Sequence, residues 1–330
     1  MKKIRLFSLL VGILALISFL MAACTPAGAP PLEEAGEPAV EPASLRVAMI
    51  PVLDGLPIYV AQEEGLFAER GLQVEIIPVS SAPERDQLIA AGQADGMINE
   101  TVSTLFNNRE TTEVQIVRYA RTATSETPLF RILASAESGI VDTQGLKGVE
   151  IGISQGTVIE YLTDRLLEKQ NFSADEIKTI AVPKISDRMA LLSNGEIPAA
   201  MLPEPLSSLA VLQGAAIALD DTTYPEVSYS TIAFRMTVID ENPDAVRSFL
   251  DAVEEAVIQI NNEPERWTDL LKERQLVPEP VLATFKVPAF PTAGVPTEAQ
   301  WQDALEWAMA KGLIDVDVSY AESVNATLLP

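Results

Sequence analysis

From residue 45 onward, segments with the period of a strand alternate with segments with the period of a helix. This alternation constrains the fold more than any other feature of the chain. Short apolar runs at 45–50, 73–79, 96–98 and 114–120 read as strands. The stretches between them carry helix boundary signals. Residues 57–64 place Pro57 in a first turn, and Gly65 and Gly71 punctuate the stretch before the second strand. Ser81-Ala82-Pro83-Glu84 has capping-box spacing and opens a helix that ends near Gly92. A second round begins near Gly145, with strands at 149–154, 177–182 and 199–202 and helices at 157–169 and 187–193. Such repetition implies an α/β architecture with largely parallel sheets. The rounds also echo each other. Arg85, Leu88 and Gly92 recur at the spacing of Arg188, Leu191 and Gly195, as two similar lobes would produce.

A returning strand at 230–237 precedes a helical tail. Val246, Phe249, Leu250, Val253, Val257 and Ile260 share one face of a helix that starts near Pro243. Thr297-Glu298-Ala299-Gln300 is a second capping box, and its helix closes at Gly312. Trp267, Trp301 and Trp307 lie in this tail and read as core.

Composition narrows the chemistry. The 330 residues contain no histidine and a single cysteine, Cys24. The commonest metal ligand and general base is therefore missing, and no Cys/His metal cage or internal disulfide can form. A net charge of −24 would repel phosphate backbones, so no nucleic-acid partner is expected. Nothing calls for a cofactor, a metal or an oligomer; a monomer that is not an enzyme is expected.

The first 23 residues read as a secretory signal: Lys2, Lys3 and Arg5, then an apolar run without a charge. The run is also long enough to cross a membrane. Met21-Ala22-Ala23-Cys24 resembles a bacterial lipobox, with methionine where leucine is more usual. That resemblance implies cleavage before Cys24, acylation of its sulfur and new amino group, and anchoring on the extracytoplasmic face of the cell membrane. Several acyl chains hold a protein stably, at about 0.8 kcal/mol per buried CH₂. Residues 24–44, rich in Pro, Ala, Glu and Gly, read as a disordered tether.

Pro51-Val52-Leu53-Asp54-Gly55-Leu56-Pro57-Ile58-Tyr59-Val60-Ala61 precedes Gly65-Leu66-Phe67 and Gly71-Leu72. Leu88-x-x-x-Gly92-Gln93-Ala94-Asp95-Gly96, Gly145-Leu146-Lys147-Gly148, Gln155-Gly156-Thr157 and Glu204-Pro205 come next, in that order. This ordered set resembles the solute-binding proteins of ABC importers for nitrate, sulfonates, taurine and thiamine precursors. The resemblance implies a two-lobed type II periplasmic-binding-protein fold with a ligand cleft and a two-strand hinge. It places residues 45–132 plus 234–330 in lobe 1 and 133–233 in lobe 2, with a permease and its ATPase as partners. The related yeast-type pyrimidine synthases use histidine and a cysteine-rich motif, which this chain lacks. A membrane-anchored solute sensor remains a rival role.

Candidate ligand contacts sit at strand–helix junctions: Asp54, Gly55 and Tyr59; Asn99, Glu100 and Thr101; Gln155, Gly156 and Thr157; and Glu204. Tyr119, Thr122 and Tyr229 flank strands. For Asp54, Asn99, Glu100 and Glu204, helix capping is the competing role. Arg118 and Arg121 are the candidate cations for an anionic ligand. The mixture of carboxylates, amides and tyrosines favours a vitamin-like heterocycle, with riboflavin stacked on Tyr59 first. A thiamine pyrimidine precursor or a sulfonate-, taurine- or nitrate-type anion is the alternative.

Overall fold

The computed structural model describes residues 42–330. The expected signal, Cys24 and most of the expected tether lie outside them. The tether's far boundary is corrected. Ala43 and Ser44 already belong to β1 (Ala43–Met49), paired with Leu72 and Gln73 of β2 (Leu72–Pro78). Backbone pairing needs no apolar side chain, so the ladder begins before the first core residue, Leu45.

Two five-stranded sheets organise the chain. β3 (Gly96–Asn99), β4 (Val114–Thr122) and β10 (Tyr229–Arg235) complete the first, in the order β2-β1-β3-β10-β4. The second comprises β5 (Phe130–Ala134), β6 (Glu150–Ile153), β7 (Lys178–Ala181), β8 (Ala199–Pro203) and β9 (Ala216–Asp220), in the order β7-β6-β8-β5-β9. The first three strands of each order are parallel, and β10 and β5 run antiparallel to both neighbours. β3 and β8 are buried along their whole length, which explains the apolar sequence of β8 and of β3 up to Asn99.

In the first lobe α1 (Leu56–Glu63) and α2 (Leu66–Glu69) follow β1, α3 (Ala82–Ala90) follows β2, and α4 (Thr101–Asn107) follows β3. In the second, α5 (Val158–Lys169), α6 (Ile185–Ser193) and α7 (Leu206–Leu212) follow β6, β7 and β8. The tail forms α8 (Met236–Glu241), α9 (Pro243–Asn262), α10 (Thr268–Glu273), α11 (Glu279–Leu282), α12 (Glu298–Ala310) and α13 (Tyr320–Ser323).

The capping box at Thr297 closes in both directions: Oγ1 accepts from Gln300 N–H, and the Gln300 side chain accepts from Thr297 N–H. The one at Ser81 is only half formed. Ser81 Oγ accepts from Glu84 N–H, but the Glu84 carboxylate takes the N–H of Ser80 instead. The apolar face of α9 is buried on the first sheet, where Phe249 stacks on Phe67 at 5.3 Å and meets Phe234 edge-on at 5.2 Å. All three tryptophans are buried.

Strand pairing decides where the chain changes sheets. The boundaries expected after residues 132 and 233 both fall inside strands, because Phe130–Ala134 pairs with β8 and β9 while Tyr229–Arg235 pairs with β3 and β4. The crossings are 123–129 and 221–228. The tail also departs from a simple return to lobe 1, since α12 packs on α4 of the first lobe and α5 of the second. Lys311 Nζ lies 3.0 Å from Glu160 and 2.9 Å from Asp164 of α5, and Trp307 Nε1–H donates to Asp164 at 2.8 Å.

Asp221, fully buried, ties the crossings together. Its carboxylate accepts from the N–H groups of Leu129 and Phe130 at 3.1 and 2.9 Å and from the Ser228 hydroxyl at 2.5 Å. Burial pushes this carboxyl up to about 6, against the opposing pull of those hydrogen bonds. The folded chain therefore holds this proton more tightly than the unfolded chain, where an aspartate titrates near about 4. The resulting stabilisation is complete below about pH 4 and is lost as pH rises through about 6. In urea unfolding, the wild type should lose up to about 3 kcal/mol relative to Asp221→Asn between pH 4 and 7. Parallel pH profiles for the two proteins would show that Asp221 titrates normally.

Candidate functional site

The carboxyl ends of β1, β2, β3, β6, β7 and β8 face one another between the sheets, where open α/β folds collect their ligands. A cavity of about 90 Å³ lies there. Ile50, Asp54, Arg85, Asn99, Glu100 and Ser230 line it from the first lobe, and Ser154, Thr157, Val158, Ile185, Arg188 and Pro203 from the second. The first turns of α3, α4, α5 and α6 begin at its wall, so their partial positive charge is directed at it.

The echo between Arg85 and Arg188 has a structural basis. Each arginine is the fourth residue of its helix, α3 or α6. Gly92 and Gly195 end those helices at φ +66° and +69°, and the next N–H in each case returns to the carbonyl of Leu88 or Leu191 at 2.9 Å. Each guanidinium donates to the carbonyl 13 residues on, Arg85 to Ile98 and Arg188 to Met201.

Their charge environments differ. Arg85 Nε–H donates to Asp86 at 2.8 Å, and Nη2 lies 3.4 Å from Glu100 Oε1. Glu100 Oε2 also accepts from Ser103 N–H at 2.9 Å, capping α4. Burial raises the Glu100 carboxyl above its ordinary range, with Arg85 opposing. At the matching positions lobe 2 carries Met189 and Pro203, so Arg188 has no carboxylate. Its other donors meet the carbonyls of Val182 at 2.7 Å and Pro183 at 3.4 Å. Arg188 is 0% exposed, and its Nη2 has no hydrogen-bond partner among the described residues. Desolvation lowers its pKa to about 10, which leaves it charged at neutral pH. The hydroxyls of Ser154 and Ser230, also on the wall, are buried and unpartnered among the described residues. Gly152 makes room for the arginine stem: a Cβ there would lie 3.3 Å from Arg188 Cγ and 2.7 Å from Ile197 Cδ1.

Of the residues singled out from sequence, Asp54, Asn99, Glu100 and Thr157 line this cavity. Asn99 is largely engaged internally, with Thr104 and Thr231. Thr157 Oγ1 caps α5. Gly55 lies under Met49, and Tyr59 is packed in the core with the Arg274 guanidinium 5.4 Å from its ring centre. α1 directs Tyr59 towards the tail helices rather than the cleft, so it offers no stacking surface there. Thr101 meets the Tyr229 hydroxyl at 3.0 Å, and Tyr119 packs edge-on against Tyr229 and donates to Gln300. Thr122 is paired opposite Tyr229 at the end of β4. Gln155 is exposed, and Gly156 N–H donates to Glu160. Glu204 lines a separate cavity and binds Arg131, Ser207 and Ser208. The expected cations lie elsewhere, Arg118 against Glu254 and Arg121 against Asp54. Arg188, Arg85, Ser154 and Ser230 were missed as contacts. The recurrence of Arg85 and Arg188 at one helical position was the available signal.

The sequence model described as NMT1/THI5 like matches residues 54–267, more than half of the chain. The chain belongs to the NMT1/THI5-like family. A Brucella abortus protein described as a binding protein is 25% identical over 216 residues, spanning 64% of this chain and 65% of that protein, just under two thirds of its length. The alkanesulfonate-binding protein SsuA from Xanthomonas axonopodis pv. citri, bound to MOPS, superposes with a TM-score of 0.73 at 18% identity, covering 87% of this chain and 99% of its own. The nitrate-binding protein NrtA from Synechocystis gives 0.69 at 18% identity, covering 87% of each chain. At these identities the likeness is one of fold. This NMT1/THI5-like chain has the two-lobed periplasmic-binding-protein architecture expected from its sequence.

The unequal charge environments have a measurable consequence. In urea unfolding at pH 7, Arg85→Met should cost about 3–5 kcal/mol, because it strands the buried Glu100 carboxylate. Arg188→Met strands only carbonyls and should cost about 1–3 kcal/mol. The reverse order would contradict the charge assignment.

Proposed function

We propose that this chain is the solute-binding lipoprotein of an ABC importer, which captures a small anion-bearing solute between its lobes and passes it on unchanged. The observation that carries this reading is Arg188: among the described residues it is a buried cation with no carboxylate and one donor free, on the wall of a cavity that also holds two hydroxyls unpartnered among those residues. A ligand oxyanion would supply the missing counter-charge and acceptors, with the start of α5 adding partial positive charge. A ligand that touches both lobes favours the closed state. The relatives described as binding alkanesulfonate and nitrate bind anions, which accords with this reading.

Riboflavin has weaker support, since Tyr59 lies in the core and a flavin ring system is large for a 90 Å³ space. A thiamine pyrimidine precursor would leave Arg188 without a counter-ion. In this reading Cys24 anchors a monomer on the extracytoplasmic face, and a permease with its ATPase receives the solute. A solute sensor would use the same cleft, so loss of solute uptake on deleting the chain is the result that separates import from sensing.

Titration calorimetry of the purified protein against alkanesulfonates, nitrate, riboflavin and hydroxymethylpyrimidine tests the ligand class. A sulfonate or nitrate should bind one to one, and Arg188→Met should weaken it roughly 10- to 100-fold, as loss of hydrogen bonds from a charged donor does. Mass spectrometry should recover the solute unaltered. Tight riboflavin binding that Arg188→Met leaves intact would refute the anion reading; a chemically changed solute would refute the non-enzymatic one.

A further inference from the structure

We propose that the separate cavity lined by Glu204 is a second solute site, which takes an amphiphilic anion such as a medium-chain carboxylate and, when filled, weakens anion binding in the cleft. The site itself does not depend on the function proposed above; its effect on the cleft rests on that reading.

The cavity measures about 600 Å³ and is lined by α7, by β9, by the segment that follows α11 and by the crossing at residues 123–129. Small-molecule pockets span about 300–1,000 Å³. Val211, Leu212 and Ile217 line it although they are 36%, 62% and 43% exposed, and Phe285 adds an aromatic ring. Large apolar side chains gathered on one wall and left open to water gain by covering a hydrocarbon chain.

The same cavity collects positive charge in a chain whose net charge is −24. Arg121, Arg131 and Lys286 line it against two carboxylates, Glu126 and Glu204. Arg131 is committed to Glu204, which also accepts from Ser207 and Ser208. Lys286 and Glu126 are both exposed and balance in number. The surplus cation is Arg121. Its side chain is 2% exposed, and its contacts are long, 3.5 Å to Asp54 and 3.4 Å to the carbonyl of Pro128. Its Nε–H has no partner among the described residues, and neither has that of Arg131. A buried guanidinium held this loosely gains from further acceptors, and a carboxylate supplies two oxygens at once.

Arg121 also connects this cavity to the cleft, because Asp54 lines the cleft. A carboxylate on Arg121 draws its charge away from Asp54 and leaves Asp54 to repel an anion there. The coupling is reciprocal, so a change that frees Arg121 from Asp54 strengthens the second site.

Calorimetry of the purified protein against octanoate, butanoate and octylamine tests the site. Octanoate should bind roughly tenfold or more tightly than butanoate, which has less hydrocarbon to bury, and than octylamine, which carries the opposite charge. Leu212→Glu and Lys286→Glu change exposed side chains and set a carboxylate beside the cavity, so each should weaken octanoate about tenfold. Arg188→Met should leave octanoate binding unchanged. Asp54→Asn should tighten it several-fold, and saturating octanoate should weaken ethanesulfonate or nitrate in the cleft by a similar factor. If octanoate does not bind, or octylamine binds as tightly, the second site is overturned and the anion reading of the cleft is untouched. Retention on phosphatidylglycerol vesicles without octanoate binding would assign the patch to a membrane surface and overturn the proposal too. If Arg188→Met abolishes octanoate binding while Leu212→Glu and Lys286→Glu spare it, octanoate occupies the cleft and the second site falls. Octanoate binding that Asp54→Asn leaves unmoved would overturn the coupling.

Discussion

The site depends on a guanidinium buried without a counter-ion. Removing an arginine from water costs several kcal/mol even after relaxation. At Arg188, among the described residues, only carbonyl dipoles offset that cost, those of Val182, Pro183 and Met201. The carbonyls hold the side chain in place and leave one donor unused beside the cavity. The equivalent arginine of the other lobe shows what a compensated charge looks like in the same scaffold. Arg85 has the same helical position and the same reach to a strand carbonyl, and it is paired with two carboxylates. The difference between the lobes therefore lies in the residues around the arginine and not in the backbone that presents it.

That backbone also joins the two lobes. Among the described residues two segments carry the chain between the sheets, and the buried Asp221 hydrogen-bonds at both. α12 adds a second link, with its tryptophans in the core and Lys311 against Glu160 and Asp164 of α5. α5 begins at the cavity wall with Thr157, so a solute at that helix start also bears on the element α12 holds. Closure in such a molecule is a shift between arrangements of rigid lobes, and its driving force is the difference in contacts the ligand makes in each.

Much of the fold was legible along the chain. β1, β2, β3, β6 and β8 appear as apolar runs, and α5, α9 and α12 appear through their periodicity and caps. The segments that went unread have physical reasons. β5 and β9 are short strands inside lobe 2, and β5 enters its sheet antiparallel without the strand–helix–strand rhythm that marked the others. Four of the residues chosen at strand–helix junctions do line the cavity, because the fold gathers strand ends there: Asp54, Asn99, Glu100 and Thr157. Tyr59 and Glu204 sit at similar junctions and turn away: Tyr59 because only packing decides which face of a helix is inward, and Glu204, just before α7, because Arg131, Ser207 and Ser208 hold it at a separate cavity.

The amino-acid sequence by itself determined the order of elements, the ends of the helices and the lack of histidine chemistry. It also determined the presence of two arginines at matching helical positions. These properties depend on residues within a few turns of one another, which periodicity and capping record. Only the tertiary structure decided that one arginine is neutralised and the other is not, and that both face a single cavity together with Glu100. Asp86 adjoins Arg85 in the chain, but the contact with Glu100 and the meeting of both arginines at one cavity depend on groups that come together only once both sheets have formed.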